Sequence, residues 1–171
     1  MQNPFVINRK LRIILVAPRI AANVGNIART AEALGAELHL VGPFGFFLDE
    51  KTLRRTSVGH FDLQNCFIYR DAEDFWTRFE KAEMTCFYWA TKRGESIYTQ
   101  LEYSLDSSLI FGNEEEGVDS NFWDFKGLAK IVSCRIPMQT VRCLNLATSV
   151  GIIGYEVFRQ WGNEGAFKEK Q

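Results

Sequence analysis

Two hydrophobic rhythms alternate along this chain. Residues 11–17 (LRIILVA) form a β-branched apolar run closed by Pro18, the pattern of a buried strand. The period then becomes helical: Ile27, Ala28, Ala31 and Leu34 fall on one face, with Asn23 placed to cap the helix and Gly35 to stop it. Further strands are predicted over residues 37–41, 65–69, 85–90, 108–111 and 130–134. Helical pieces are predicted over 49–56, from an Asp71 cap to about Ala82 with Phe75, Trp76 and Phe79 inward, over 119–125, and over 144–161. A turn-rich GPFG closes the second strand, and a long loop through Lys92, Arg93 and Gly94 follows the fourth. Strands alternating with helices predict an α/β fold, a mainly parallel sheet flanked by helices on both faces.

Composition narrows the class. A chain of 171 residues with 46% hydrophobic and 24% charged positions is expected to form a single domain, 1–171, with a polar tail from about 162. No apolar run approaches bilayer-spanning length, so no membrane partner is expected. Residues 4–7 are too short for a signal-peptide core and lead into Arg9, Lys10 and Arg12; the expected location is cytoplasmic. Cys66, Cys86, Cys134 and Cys143 are scattered without a C-x-x-C pair, and three of them sit in strand-like runs as buried thiols. A net charge of -1 gives no global nucleic-acid signature. Three local basic clusters exist, Arg9/Lys10/Arg12, Lys51/Arg54/Arg55 and Lys92/Arg93, and each taken singly reads as a solvated face.

Familiar nucleotide motifs are missing. The first strand is followed by NVGNIAR, which fits neither G-x-G-x-x-G nor the P-loop, so a nicotinamide oxidoreductase and an ATPase are disfavoured. His39 lies inside a strand and His60 has no evident Cys or Asp partner, which gives a Ser-His-Asp hydrolase little support. Three loops of unusual composition do leave strand C-termini: residues 18–29, 112–117 and 135–142. Loops at that edge of an α/β sheet are where ligands bind. Taken alone, Pro137 reads as a strand breaker and Arg142 as a loop charge.

Together the loops resemble the motifs of the SpoU class of RNA 2'-O-methyltransferases, in the SPOUT superfamily. The first is NVGNIAR at 23–29; the second is FGNEEEG at 111–117, matching the class pattern G-x-E-x-x-G. The third is IPM at 136–138 with RCLNLA at 142–147, followed by YEVFRQ at 155–160. GFFLDEKTLRR at 45–55 and the absence of an added RNA-binding domain resemble the TrmL-type tRNA (cytidine/uridine) wobble 2'-O-methyltransferases.

The resemblance implies a deep trefoil knot in the C-terminal half, a homodimer, and S-adenosylmethionine (AdoMet) as methyl donor without metal. The implied substrate is the anticodon stem-loop of tRNA, methylated on a ribose 2'-hydroxyl. Another tRNA or rRNA site, or a non-catalytic knotted RNA-binding protein, is the alternative. Implied cofactor contacts are Ala90, Gly112, Glu114, Gly117, Ile136, Cys143 and Leu144. Ile136 and Leu144 would sandwich adenine, although core packing explains apolar residues there equally well. Glu114 is expected to tie loops together through backbone N–H groups, with Glu115 and Glu116 solvated. Arg29 and Asn145 carry the catalytic assignment. Arg29 would clamp an RNA phosphate and stabilise the alkoxide, because a guanidinium is a reluctant base. Asn145 would orient substrate or loop. Asn23 (a helix cap, a reach across the dimer, or both), Arg54, Arg55 and Arg142 are the RNA-binding candidates. Cys143 and Ala147 stand where this class usually carries serine, and the segment between Met138 and Arg142 is one residue short of the wobble-ribose pattern.

Overall fold

The computed structural model describes residues 9–48, 65–79, 85–127 and 129–163. The expected helical piece at 49–56, Arg54, Arg55, His60 and the end of the tail lie outside them. Among the described residues the strands are β1 (Lys10–Val16), β2 (Glu37–Val41), β3 (Cys66–Tyr69), β4 (Cys86–Ala90), β5 (Ser96–Ile97), β6 (Asp106–Phe111) and β7 (Ile131–Arg135). The helices are α1 (Ala21–Leu34), α2 (Ala72–Arg78) and α3 (Leu146–Asn163), with 3-10 turns at Tyr98–Gln100 and Ser120–Trp123. The sheet runs in the order β3-β2-β1-β6-β4-β7-β5, and every pairing is parallel.

Strand alternation divides the core into two layers. Along β1, Leu11, Ile13 and Leu15 pack with α1 and α3, whose Val24, Ile27, Val150, Ile153 and Val157 complete that layer. Ile14 and Val16 face the other way, onto Phe75, Trp76 and Phe79 from α2 and Phe122 from the second 3-10 turn. The period of two in the strand thus meets helices on both faces, as the sequence predicts.

Local signals explain most element ends, with three departures. Asp71 caps α2 by accepting from the Asp74 N–H at 2.8 Å, and Gly35 ends α1 at φ 63°. Asn23, however, is not a cap: α1 begins at Ala21, with extended Ile20 before it and no side-chain cap. The Asn23 amide is instead committed to partners from other loops, described below. The expected helix at 119–125 is a 3-10 turn capped by Asp119, whose carboxylate accepts from Asn121 N at 2.8 Å. β5 adds a two-residue strand inside what reads as loop, paired to Cys134 and Arg135 of β7.

At the N-terminal edge of the sheet a charged network replaces apolar packing. Arg12 is only 3% exposed, pairs with Asp106, lies 3.4 Å from Glu37 and stacks over Phe79. Lys10 adds a second cation to Glu37 at 3.1 Å. Burial alone would push the Glu37 carboxyl up, but hydrogen bonds to His39 and Lys10 and the Lys10 charge outweigh it and bring it down to about 2. Burial holds His39 below its ordinary value. The neutral ring therefore donates from Nε2 to Glu37 at 3.4 Å and accepts at Nδ1 from the Tyr69 hydroxyl at 3.0 Å.

Candidate active site

Strands β1, β6, β4 and β7 are neighbours, so the loops leaving their C-terminal ends are forced together at one edge. They enclose a cavity of about 820 Å³. No helix among the described residues is long and apolar enough to cross a membrane. Among them, no cluster of three or more His, Cys, Asp or Glu side chains is placed to hold a metal ion.

The loop after β6 is built to be tight. Asn113 and Gly117 exchange backbone hydrogen bonds at 3.0 and 3.2 Å, and the Asn113 side-chain oxygen accepts from Glu115 N and Glu116 N. A Cβ on Gly112 would lie under 3.0 Å from the backbone of Gly117 and Val118, so only glycine fits there. The turn displays Glu114, Glu115 and Glu116 together.

Glu114 then reaches the loop after β1. Its carboxylate accepts from Arg19 N at 2.9 Å, Ile20 N at 3.3 Å and the Asn23 amide at 2.8 Å. This places an anion at the N-terminus of α1, where the helix dipole favours it and where no local side chain caps the helix. The loop itself is turned by Ala17 at φ 51°, a left-handed conformation that costs an L-residue about 1 kcal/mol. The Asn23 side-chain oxygen accepts from Asn145 Nδ2 at 3.0 Å. Asn145 in turn caps α3, its Oδ1 accepting from Ala147 N at 2.8 Å and Thr148 N at 3.3 Å. One polar chain, Glu114–Asn23–Asn145, therefore crosses all three motif loops. The expectation that Glu114 ties loops through backbone N–H groups agrees with this geometry. Glu115 and Glu116 are exposed, as expected, and each also meets the Arg19 guanidinium at 3.0 Å.

The expected cofactor residues Ala90, Gly112, Glu114, Gly117, Ile136, Cys143 and Leu144 all line this cavity, as do Asn23, Arg142 and Asn145. Arg29 does not. It lies on the exposed face of α1, off the cavity of its own chain. Ile136 packs partly against the main core as well, so its two readings coexist. Cys143 is exposed at the rim, whereas burial pushes the Cys134 thiol up to about 11 and Cys66 up to about 12, which leaves both unreactive. Lys92 and Arg93, which read in the sequence as a basic cluster on a solvated face and not as site residues, line the mouth. The available signal was their position just past the C-terminal end of a strand.

Residues 10–155 match the SpoU rRNA Methylase family. The chain belongs to this family. A Yersinia pestis protein, a tRNA (cytidine(34)-2'-O)-methyltransferase, is 31% identical over 91% of this chain and 97% of its own length. A Geobacillus stearothermophilus protein, provisionally named for the same activity, is 37% identical over 91% of this chain and 98% of its own. Among solved structures, one described as giving insight into 2-OH methylation of C/U34 on tRNA superposes with a TM-score of 0.79. It is 30% identical and covers 91% of this chain and 99% of that one. The SpoU methyltransferase AviRb from Streptomyces viridochromogenes, solved with AdoMet, has a TM-score of 0.74 at 22% identity, over 92% of this chain and 60% of that one. The AviRb likeness concerns the fold alone.

Proposed function

We propose that this SpoU-family protein transfers the methyl group of AdoMet to a ribose 2'-hydroxyl of tRNA, at wobble nucleotide 34 of the anticodon loop. The observation that carries the reading is the convergence of the three motif loops, joined by Glu114–Asn23–Asn145, around one cavity of nucleoside size. The relatives' designations supply the substrate. The fit to AdoMet rests on the cradle at Gly112, where a side chain would fill the space against Gly117 and Val118. Ile136 and Leu144 would flank the adenine, and the turns after β4 and β6 offer backbone groups to the polar parts. When bound, AdoMet supplies an electrophilic methyl on a sulfonium.

The protein's remaining task is to place a ribose hydroxyl in line with that methyl and to stabilise the charge developing on its oxygen. Glu114 and Asn145 are consumed largely in holding loops, so they position rather than exchange protons. Arg29 is suited to clamp the neighbouring phosphate and stabilise the oxyanion, but it lies off its own chain's cavity. The active unit is accordingly a homodimer in which Arg29 of one protomer serves the cavity of its partner. The C-terminal half is threaded as a trefoil knot, in keeping with SpoU membership.

The test is methyl transfer from tritiated AdoMet to tRNA, followed by mapping of the methylated nucleotide. Arg29→Ala should lower kcat by about 10² to 10³ while AdoMet affinity is kept. Mixing Arg29→Ala with a cavity-dead Gly112→Val protein should restore activity that neither has alone. Wild-type protein without incorporation into any tRNA overturns the assignment. Methylation mapped to ribosomal RNA would favour the target named in the family's description.

A further inference from the structure

The mouth of the cavity is electrically lopsided. On one rim Arg19 is occupied by Glu115 and Glu116, with Glu114 beside them, so its charge is already matched among the described residues. On the other rim stand Lys92, Arg93 and Arg142, all exposed, and none of them has an ion-pair partner among the described residues. Two of these cations sit at the apex of the turn between β4 and β5, and that turn is pinned. Thr91 N donates to Cys134 O at 2.9 Å, Gly94 N to Thr91 O at 3.1 Å, and Glu95 N to Ser133 Oγ at 3.1 Å. The Arg135 guanidinium donates to the carbonyls of Gly94 and of Glu95, the latter at 2.8 Å. Gly94 is buried so closely on Cys134 and Arg135 that a Cβ there would lie under 3.0 Å from their backbone. Several hydrogen bonds and a close backbone contact thus hold a two-cation apex at a fixed height above the cavity.

A stabilising role does not account for this apex, because among the described residues neither charge has an ion-pair or hydrogen-bond partner. It suits a polyanion approaching from outside. We propose that Lys92 and Arg93 bind successive phosphates of the RNA strand at the cavity mouth. They thereby fix which side of the cavity the backbone runs along, leaving the ribose to face the Glu114 rim. This rests on the RNA methyltransferase reading above and adds to it a positioning site with an assigned direction. Phosphate contacts of this kind set register without reading sequence.

Lys92→Ala/Arg93→Ala tests the inference in the full-length protein. KM for tRNA should rise tenfold or more, kcat at saturating tRNA should stay within about twofold, and the AdoMet Kd should not change. Two lost phosphate contacts should also flatten the slope of log affinity against log salt by about 1.4 to 1.8. The charge-retaining swap Lys92→Arg/Arg93→Lys should restore tRNA affinity and slope, which a merely structural role for the turn would not require. The double-alanine protein binding tRNA with wild-type affinity and salt slope, while wild type methylates tRNA, overturns this inference and leaves the reading of the site intact. Wild-type protein that neither binds nor methylates RNA overturns both.

Discussion

Replacing Glu114 by Gln tests whether the carboxylate is the clasp of the site. One oxygen accepts from Ile20 N and the Asn23 amide, the other from Arg19 N at 2.9 Å. Glutamine keeps the shape but turns one acceptor into an NH2 donor. With the amide oxygen facing Ile20 and Asn23, the nitrogen meets the Arg19 N–H head-on and that bond is lost. A net hydrogen bond to a charged group is worth about 1.5–3 kcal/mol. The remaining two weaken because their acceptor is no longer ionised. Arg19 is exposed and Glu114 half-buried, which discounts these values, so a loss of about 2 kcal/mol is expected. If the loop must be ordered to hold AdoMet, the same quantity appears as a roughly 30-fold rise in Kd. Urea denaturation reads the first and titration calorimetry the second. A Glu114→Gln protein with wild-type stability and wild-type AdoMet affinity would show that the loops are held by something else. A stability loss without any change in affinity would show that the clasp is structural and separate from the pocket.

Two further predictions follow from the packing. Gly112→Ala forces backbone apart at Gly117 and Val118, an overpacking cost of about 3 kcal/mol, or a Tm lower by about 6–12 °C in differential scanning calorimetry, together with loss of AdoMet binding. Glu37→Gln removes a carboxyl held at about 2 instead of 4.5, worth about 2–3 kcal/mol after allowing for its partial exposure. Because the folded value is the lower one, that stability is complete above about pH 5. The wild-type advantage in urea should therefore be constant from pH 8 to 5.5 and shrink as pH falls toward 2.

The sheet and its two helical layers were legible because continuous β-branched apolar runs such as β1, buried on both faces, alternate with segments of near-3.6 period such as α1. β5 was not, since a two-residue strand such as Ser96–Ile97 has no period to detect and exists only because β7 is beside it. Asn23 shows a different limit. Its position suits a helix cap, and the competing partners, Glu114 and Asn145, lie 91 and 122 residues away. The same distance effect hides the Arg19 pairs with Glu115 and Glu116, which read locally as solvated acids. The cavity lining was foreseen through the motif resemblance. Its physical origin, β6 inserted between β1 and β4, is a matter of strand order that no local pattern encodes.

The residues at this site divide by what they have left to give. Glu114, Asn23 and Asn145 spend their polar atoms on one another and on backbone N–H groups, so they bring the pocket into being but have little capacity for substrate. Among the described residues, charges without an ion pair include Lys92, Arg93 and Arg142 at the mouth and Arg29 on the outer face of α1. On the proposed function, cofactor binding belongs to a single chain, whose own loops line the cavity, whereas Arg29 lies off it. The proposed division predicts that a protomer holds AdoMet without RNA, and that methyl transfer requires both the RNA strand and the Arg29 of a second protomer.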